Sequence, residues 1–367
     1  MTQRRAFTRC SRADLTSKII IFINNMKKLF ENLFALNLGL NLFASEAERK
    51  EDKRIAVGGQ AVIEGVLMKG ENKWGLAVRK PYASENLEQA SPSLAELKNL
   101  DQDENLNQGE IVTESWPHKS RTKRMPYKLP FVRGFVVMCE MMATGFKALS
   151  RSAEIAFEEP GEEPEKLTFK DLLLTILITI LAVGGLFIAL PLYSAEFLAK
   201  ILELEPHGAG VYTLEGVIRA IIFIGYIAII GMWSDIKRVF AYHGAEHKTI
   251  NAYESGLDMT PENIIKCSRI HPRCGTSFLL IAVIVSIAVF SLIARGGFLW
   301  RVTSRILLIP MVIGISYEVI RLAGNSGKIG RAIVFPFLSL QFLTTREPDI
   351  YQAEVALASL NTAMDNN

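Results

Sequence analysis

His243-Gly244-Ala245-Glu246-His247 sets two imidazoles four residues apart with a carboxylate between them. On an α-helix, residues i and i+4 stand one above the other, so both rings can converge on one ion. The order H-x-x-E-H is the inverted zincin arrangement, in which the histidines ligate and the glutamate draws a proton from water on the metal. Metal-assisted hydrolysis is the chemistry this spacing suits. A divalent ion is then the expected cofactor, zinc first. The competing reading is a helix near a membrane that carries two histidines for packing.

Flanking residues must supply that helix. Ser234 or Asp235 can cap its start, and Gly256 suits a left-handed stop. Glu254 falls on the histidine face but roughly 10 Å beyond His247 along the axis. It suits a contact behind the ligands, a substrate contact or a second ion better than direct ligation. A further helix begins at Thr260-Pro261-Glu262 and must stop before Pro272. His271-Pro272-Arg273-Cys274-Gly275 then brings an imidazole and a thiol to the same region. A catalytic zinc site takes ~3 protein ligands plus water, so His271 is the first choice for the third ligand and Cys274 the next. All four donors together would make a closed structural site.

The 367 residues are 49% hydrophobic and 22% charged, with mean hydropathy +0.21, which divides the chain between bilayer and water. Four segments are expected to span: Leu172 to Leu192, Leu214 to Trp233, Thr276 to Ala294, and Ile306 to Ile320 with some extension. Arg219 can snorkel, whereas Glu318 needs a partner such as Arg321, a water-filled cavity or a proton. Glu318 is therefore either a polar site inside the bundle or a helix end closer to water. Lys147, Arg151, Lys166 and Lys170 precede the first span, and six Lys or Arg from Lys237 to Arg273 lie between the second and third. These flanks put both termini and the histidine loop in the cytosol, although Arg295, Arg301 and Arg305 then fall outside. Cys10, Cys139, Cys267 and Cys274 avoid the external loops, against a disulfide framework. The net charge of +3 gathers at membrane flanks, so the expected partners are membrane lipids and not nucleic acid.

Around these elements, residues 1–53 form a variable basic and amphipathic segment, with a second start possible at Met26 and an interfacial apolar run from Leu29 to Phe43. Residues 54–130 read as a glycine-punctuated β domain with an acidic insertion at 81–109. Residues 131–165 form an amphipathic helix with Val136, Cys139, Met142, Phe146 and Leu149 on one stripe. Residues 166–233 hold two spans, 234–275 the cytosolic histidine loop, 276–322 two more spans, and 323–367 a membrane-surface segment and a polar terminal helix.

Three strings, Gly58-Gly59-Gln60-Ala61-Val62-Ile63-Glu64-Gly65-Val66, Tyr242 to Lys248, and Ser268 to Phe278, together resemble the YqhQ-type bacterial membrane family of unknown function. The resemblance runs from about Arg54 through Thr344-Thr345-Arg346-Glu347-Pro348, leaving out the acidic insertion. It implies a bacterial cytoplasmic-membrane protein, and that family is commonly described as predicted metal-dependent enzymes. Gln60 and Glu64 lie in its opening string, where hairpin chemistry explains them better than a polar edge facing the metal.

The expected protein is thus an α+β membrane protein of about four transmembrane helices, with a small cytosolic β-containing N-terminal domain and a cytosolic helical loop. In it His243 and His247 ligate, His271 or Cys274 completes the shell, and Glu246 is the general base. The substrate is open between peptide and lipid-linked classes. A non-enzymatic scaffold or assembly factor is the second reading. A transporter, suggested by Glu318 and Arg219, is the third, and it lacks the inverted repeats that would support it.

Overall fold

The computed structural model describes residues 57–80, 109–118, 120–157, 169–205, 208–271, 274–293, 298–325 and 337–364. The second start at Met26, the apolar run from Leu29 and the acidic insertion short of Gly109 lie outside the described residues.

Glycine-separated runs of β-branched and apolar residues form the expected strands. β1 (Gly58–Val62), β2 (Gly65–Lys69), β3 (Lys73–Arg79) and β4 (Ile111–Pro117) pair antiparallel in the order β1-β2-β3-β4. Val62 sits opposite Gly65, Leu67 opposite Leu76, and Arg79 opposite Ile111. Alternation sends Val66, Met68 and Ala77 to one face and Val62, Leu67, Leu76 and Val78 to the other. Both faces are covered.

The second face packs on Ala148, Ile155 and Ala156 of α1 (Val132–Ala156). Met142, Phe146 and Leu149, expected on the apolar stripe of that helix, instead lie exposed on its far side. The first face packs on Val355, Ala356 and Leu360 of the C-terminal helix, α11 (Ile350–Met364). The sequence reads that segment as a polar terminal helix. Its Ala353, Ala356, Ser359 and Ala363 form a small-residue face close enough for the Ser359 hydroxyl to donate to the Gly75 carbonyl at 2.9 Å.

Between α1 and α11 the chain is helical. α2 (Phe169–Gly184) continues through a π-helical turn at Gly185–Ala189 into α3 (Leu190–Ile201), followed by α4 (Ala209–Ile230), α5 (Ser234–Ser255) and α6 (Pro261–Lys266). α7 (Gly275–Ile293), α8 (Phe298–Leu307), α9 (Ile309–Asn325) and the short α10 (Gln341–Thr344) complete the order.

Among the described residues two helices are long and apolar enough to cross a membrane, Leu177–Ile201 and Gly210–Ile230. Only 11% and 17% of their apolar windows is buried, the reverse of a soluble core helix. The third expected span is α7, whose apolar part, Gly275–Phe290, is shorter. The fourth is divided at Leu308 between α8 and α9, next to Pro310, which has no N–H to give the preceding turn. The second ends at Ile230, and Trp233 already precedes α5.

α4 and α7 pack antiparallel, with Gly216 against Ile287 and Arg219 Nη1 3.5 Å from Ser286 Oγ. Here Glu215 of α4 is buried with Arg219 on one side, at 2.6 Å, and Arg305 of α8 on the other, at 2.9 Å from its Nε. Arg219 also donates to the Phe187 carbonyl in the π turn, at 3.1 Å. Both guanidiniums face the Phe290 ring. Glu318 pairs chiefly with Arg133 of α1, with Arg321 at 3.9 Å.

Candidate metal centre

α5 stops where its sequence stops it, at Gly256 with φ 69°, and Thr260 caps α6 by accepting from the Asn263 N–H. The start of α5 has no side-chain cap; Ser234 is its first residue and Trp233 precedes it. His243 and His247 share one face, their ring centroids 4.5 Å apart.

The second nitrogens of these rings decide what the face can do. His243 Nδ1 lies 2.8 Å from the Thr344 carbonyl and His247 Nδ1 2.6 Å from the Arg269 carbonyl. A carbonyl can only accept, so each Nδ1 carries the proton and each Nε2 presents a lone pair. His243 Nε2 meets Cys274 Sγ at 3.2 Å. His247 Nε2 is buried and makes no hydrogen bond of ordinary geometry among the described residues, its nearest polar company being the Cys274 thiol. His243, His247 and Cys274 form a group whose ligand atoms all lie within 4.8 Å of one another and which could hold a metal ion. Two ligands of one tetrahedral zinc stand ~3.3–3.6 Å apart, so the His243–Cys274 separation fits a shared ion after a small adjustment. An orphaned imidazole nitrogen beside that pair is the cost such an ion would remove.

Glu246 lies on the same side, one carboxylate oxygen 3.8 Å from His243 Nε2 and 3.9 Å from His247 Nε2. Burial pushes its carboxyl above the usual range, opposed by His243, by His271 and by a backbone hydrogen bond from Gly59. Gly59 is on β1, and a Cβ there would lie 2.9 Å from Glu246 Oε1. Glycine at 59 therefore lets the edge strand reach the carboxylate. Burial also holds His247 and His271 below the ordinary imidazole value.

His271 borders the same cavity of about 330 Å³ without joining the donor group. Its main chain is gripped on both sides by Gln341, which accepts from its N–H at 2.9 Å and donates to its carbonyl at 2.7 Å. Its Nε2 is 3.5 Å from Glu254. Of the two third-ligand choices, the structure brings Cys274 to the histidines and turns His271 toward Glu254.

Gln60 lines the cavity, and its amide reaches the Met141 carbonyl at 3.4 Å. Glu64, in the β1–β2 turn at φ 49°, pairs with Arg238 and accepts from the Tyr242 hydroxyl at 3.2 Å, both from α5. It clamps the hairpin to the histidine helix and does not face the donors. Glu318 lies with Arg133, away from this site.

Sequence reasoning missed Gly59, Arg238, Tyr242, Gln341 and the carbonyls of Arg269 and Thr344. The glycine inside H-G-A-E-H was a usable signal, since a Cβ on Gly244 would run into the Arg346 carbonyl. Close passage of residues 344–346 is what brings the Thr344 carbonyl to His243.

Two histidines, a thiol and a carboxylate thus meet at the foot of apolar helices in an α+β protein, in a group that could hold a metal ion. The chain belongs to the family described as "Protein of unknown function (DUF1385)", whose model matches residues 129–366. It is 34% identical over 319 residues to "Uncharacterized protein YqhQ" of Bacillus subtilis (strain 168), covering 83% of this chain and 91% of that protein. No solved structure matches.

Proposed function

We propose that the chain is a multi-pass protein of the bacterial cytoplasmic membrane with a metal-dependent hydrolase site on its cytosolic face. One observation carries the reading. Two main-chain carbonyls fix the protons of His243 and His247 on Nδ1, so two imidazole lone pairs and the Cys274 thiol face a common point.

In this reading these three side chains hold zinc or a similar divalent ion, which when bound supplies Lewis-acid polarisation of a carbonyl and of a water. Glu246 receives the proton of the attacking water. Its 3.8 and 3.9 Å separations exceed the ~3.3 Å expected between two nitrogen or oxygen ligands of one ion, which suits a base beside the ligands. Burial raises its proton affinity, which favours its taking that proton. The Gly59 N–H orients it. His271 and Glu254 border the cavity as substrate-contacting groups.

Support for the topology comes from connectivity. α4 leads into α5 and α7 starts at Cys274-Gly275, so the ends of these antiparallel helices that adjoin the histidines are one end of the bundle. Arg305, whose position opposed the charge argument, is buried against Glu215 and adds no free charge to the external loop.

The test is complementation of the defect caused by deletion. Glu246→Gln should fold and keep its ion yet fail to restore function, a loss of roughly 10²-fold or more. Full rescue with the ion bound would move the assignment to the second reading, a scaffold with a structural metal. That alternative is favoured by His271, a fourth imidazole or thiol side chain lining the same cavity as His243, His247 and Cys274.

A further inference from the structure

A second cavity, of about 570 Å³, lies on the opposite face of the sheet from the histidines, between β3, β4 and the first half of α1. Its size is that of a small-molecule site. Trp74, Trp116, Tyr127 and Phe135 give it aromatic walls, and Arg121 and Lys147 stand at its margin. The acid among its lining residues, Glu140, already accepts the Arg121 main-chain N–H at 2.8 Å and the Ser120 hydroxyl at 3.3 Å.

The approach to this cavity mixes charge and oil. From residue 115 to 139 the chain has six Lys or Arg and no Asp or Glu. Arg121, Arg124 and Lys128 are exposed, interleaved with Met125 at 69%, Tyr127 at 42% and Leu129 at 44% exposure. From the cavity wall at Phe135 an exposed apolar stripe continues along α1 through Met142, Phe146 and Leu149. A soluble face does not expose such residues in line. The segment is also tied to the helical bundle, because Gly314 of α9 packs on the Phe131 carbonyl and Glu318 pairs with Arg133. Basic and aromatic side chains beside an apolar groove, next to a bundle helix, match one occupant: a lipid with an anionic head group.

We infer that this cavity and its basic margin bind one anionic phospholipid of the cytosolic leaflet. The head group lies over Arg121, Arg124, Lys128 and Lys147, and acyl carbon fills the aromatic cavity and the Phe135–Leu149 stripe. The assignment rests on the membrane placement proposed above and is independent of the metal.

The experiment is native mass spectrometry of the full chain released from nanodiscs holding equal phosphatidylglycerol and phosphatidylcholine. One phosphatidylglycerol should remain bound, preferred on the order of tenfold or more over phosphatidylcholine. Joint replacement Arg121→Glu, Arg124→Glu and Lys128→Glu should weaken retention on the order of 100-fold, given the attraction each exposed cation contributes near an anionic surface. Ala143→Trp, which narrows the cavity without changing charge, should also expel the lipid while the protein stays monodisperse. Equal retention of both lipids, or retention unchanged in either variant, would overturn the inference. So would displacement by glycerol phosphate at matched concentration, which would mark a small-anion site. Release of the chain from cell membranes by alkaline carbonate would sink the membrane placement itself, whereas the nanodisc results bear on the lipid site alone.

Discussion

Two of the buried polar clusters among the described residues differ in how completely they are satisfied. Around Glu215, the carboxylate is held by Arg219 and Arg305, and Arg219 has further partners in the Phe187 carbonyl and Ser286. Around His247, a ring nitrogen with almost no solvent contact has no hydrogen-bond partner among the described residues, and His271 Nε2 has only the Glu254 carboxylate at 3.5 Å. Buried polar groups are costly unless paired. A saturated cluster therefore holds helices together, and an unsaturated one marks where something else binds. This comparison weakens the transporter reading, which had rested on Arg219 and Glu318: both are occupied in ion pairs.

The comparison can be broken most forcefully at the saturated cluster. Glu215→Ala leaves two buried guanidiniums without their carboxylate and should cost ~3–5 kcal/mol, the range for removing one partner of a buried pair. Thermal unfolding in detergent should register it, while the fraction that remains folded should keep its full metal complement. Undiminished stability would mean that the Glu215 cluster is not structural.

A smaller effect is expected where the sheet meets the site. In Gly59→Ala the new methyl would crowd Glu246 Oε1 and the Leu67 carbonyl, at 2.9 and 2.7 Å. Overpacking of this kind costs about 1–3 kcal/mol. The displaced carboxylate should lower function in the complementation assay more than it lowers metal content. Loss of both in parallel would place Glu246 among the ligands.

Acidification should give the smallest change. Burial holds His247 and His271 below their unfolded value, so the fold favours neutral rings. The stability this contributes is complete above the unfolded value of ~6.5 and is lost as pH falls below it, because the unfolded chain then binds more protons. The raised Glu246 carboxyl works in the opposite direction, so the readout is a difference: between pH 7.5 and pH 5.5 metal-free His247→Phe should lose less stability than the unaltered metal-free protein. An unchanged slope would remove His247 from the account.

Local features of the site were legible in the sequence. The i, i+4 spacing fixed which face the histidines share, Gly256 announced the left-handed stop, and the glycine-punctuated runs announced a β domain between residues 54 and 130. Long-range choices were not legible. Nothing in the loop 271–275 says that Gln341, 70 residues away, grips the His271 main chain and leaves Cys274 nearer the histidines. The acceptors of the two Nδ1 protons are main-chain carbonyls, which carry no residue signature. Glu318 had Arg321 one helical turn away as its obvious partner, yet Arg133 takes it from the far side of the sequence. Small residues of α11 read as polar because their size, not their polarity, is what packs against the sheet.

X-ray absorption at the edge of whatever metal copurifies with the full-length protein tests the central claim most directly. One sulfur at ~2.3 Å and two nitrogens at ~2.0–2.1 Å are expected. The sulfur should vanish in Cys274→Ser, and the ion should be lost in His243→Ala and His247→Ala but retained in His271→Ala. A metal-free protein purified without chelator, or a shell unchanged across these variants, would contradict the assignment of His243, His247 and Cys274 as ligands.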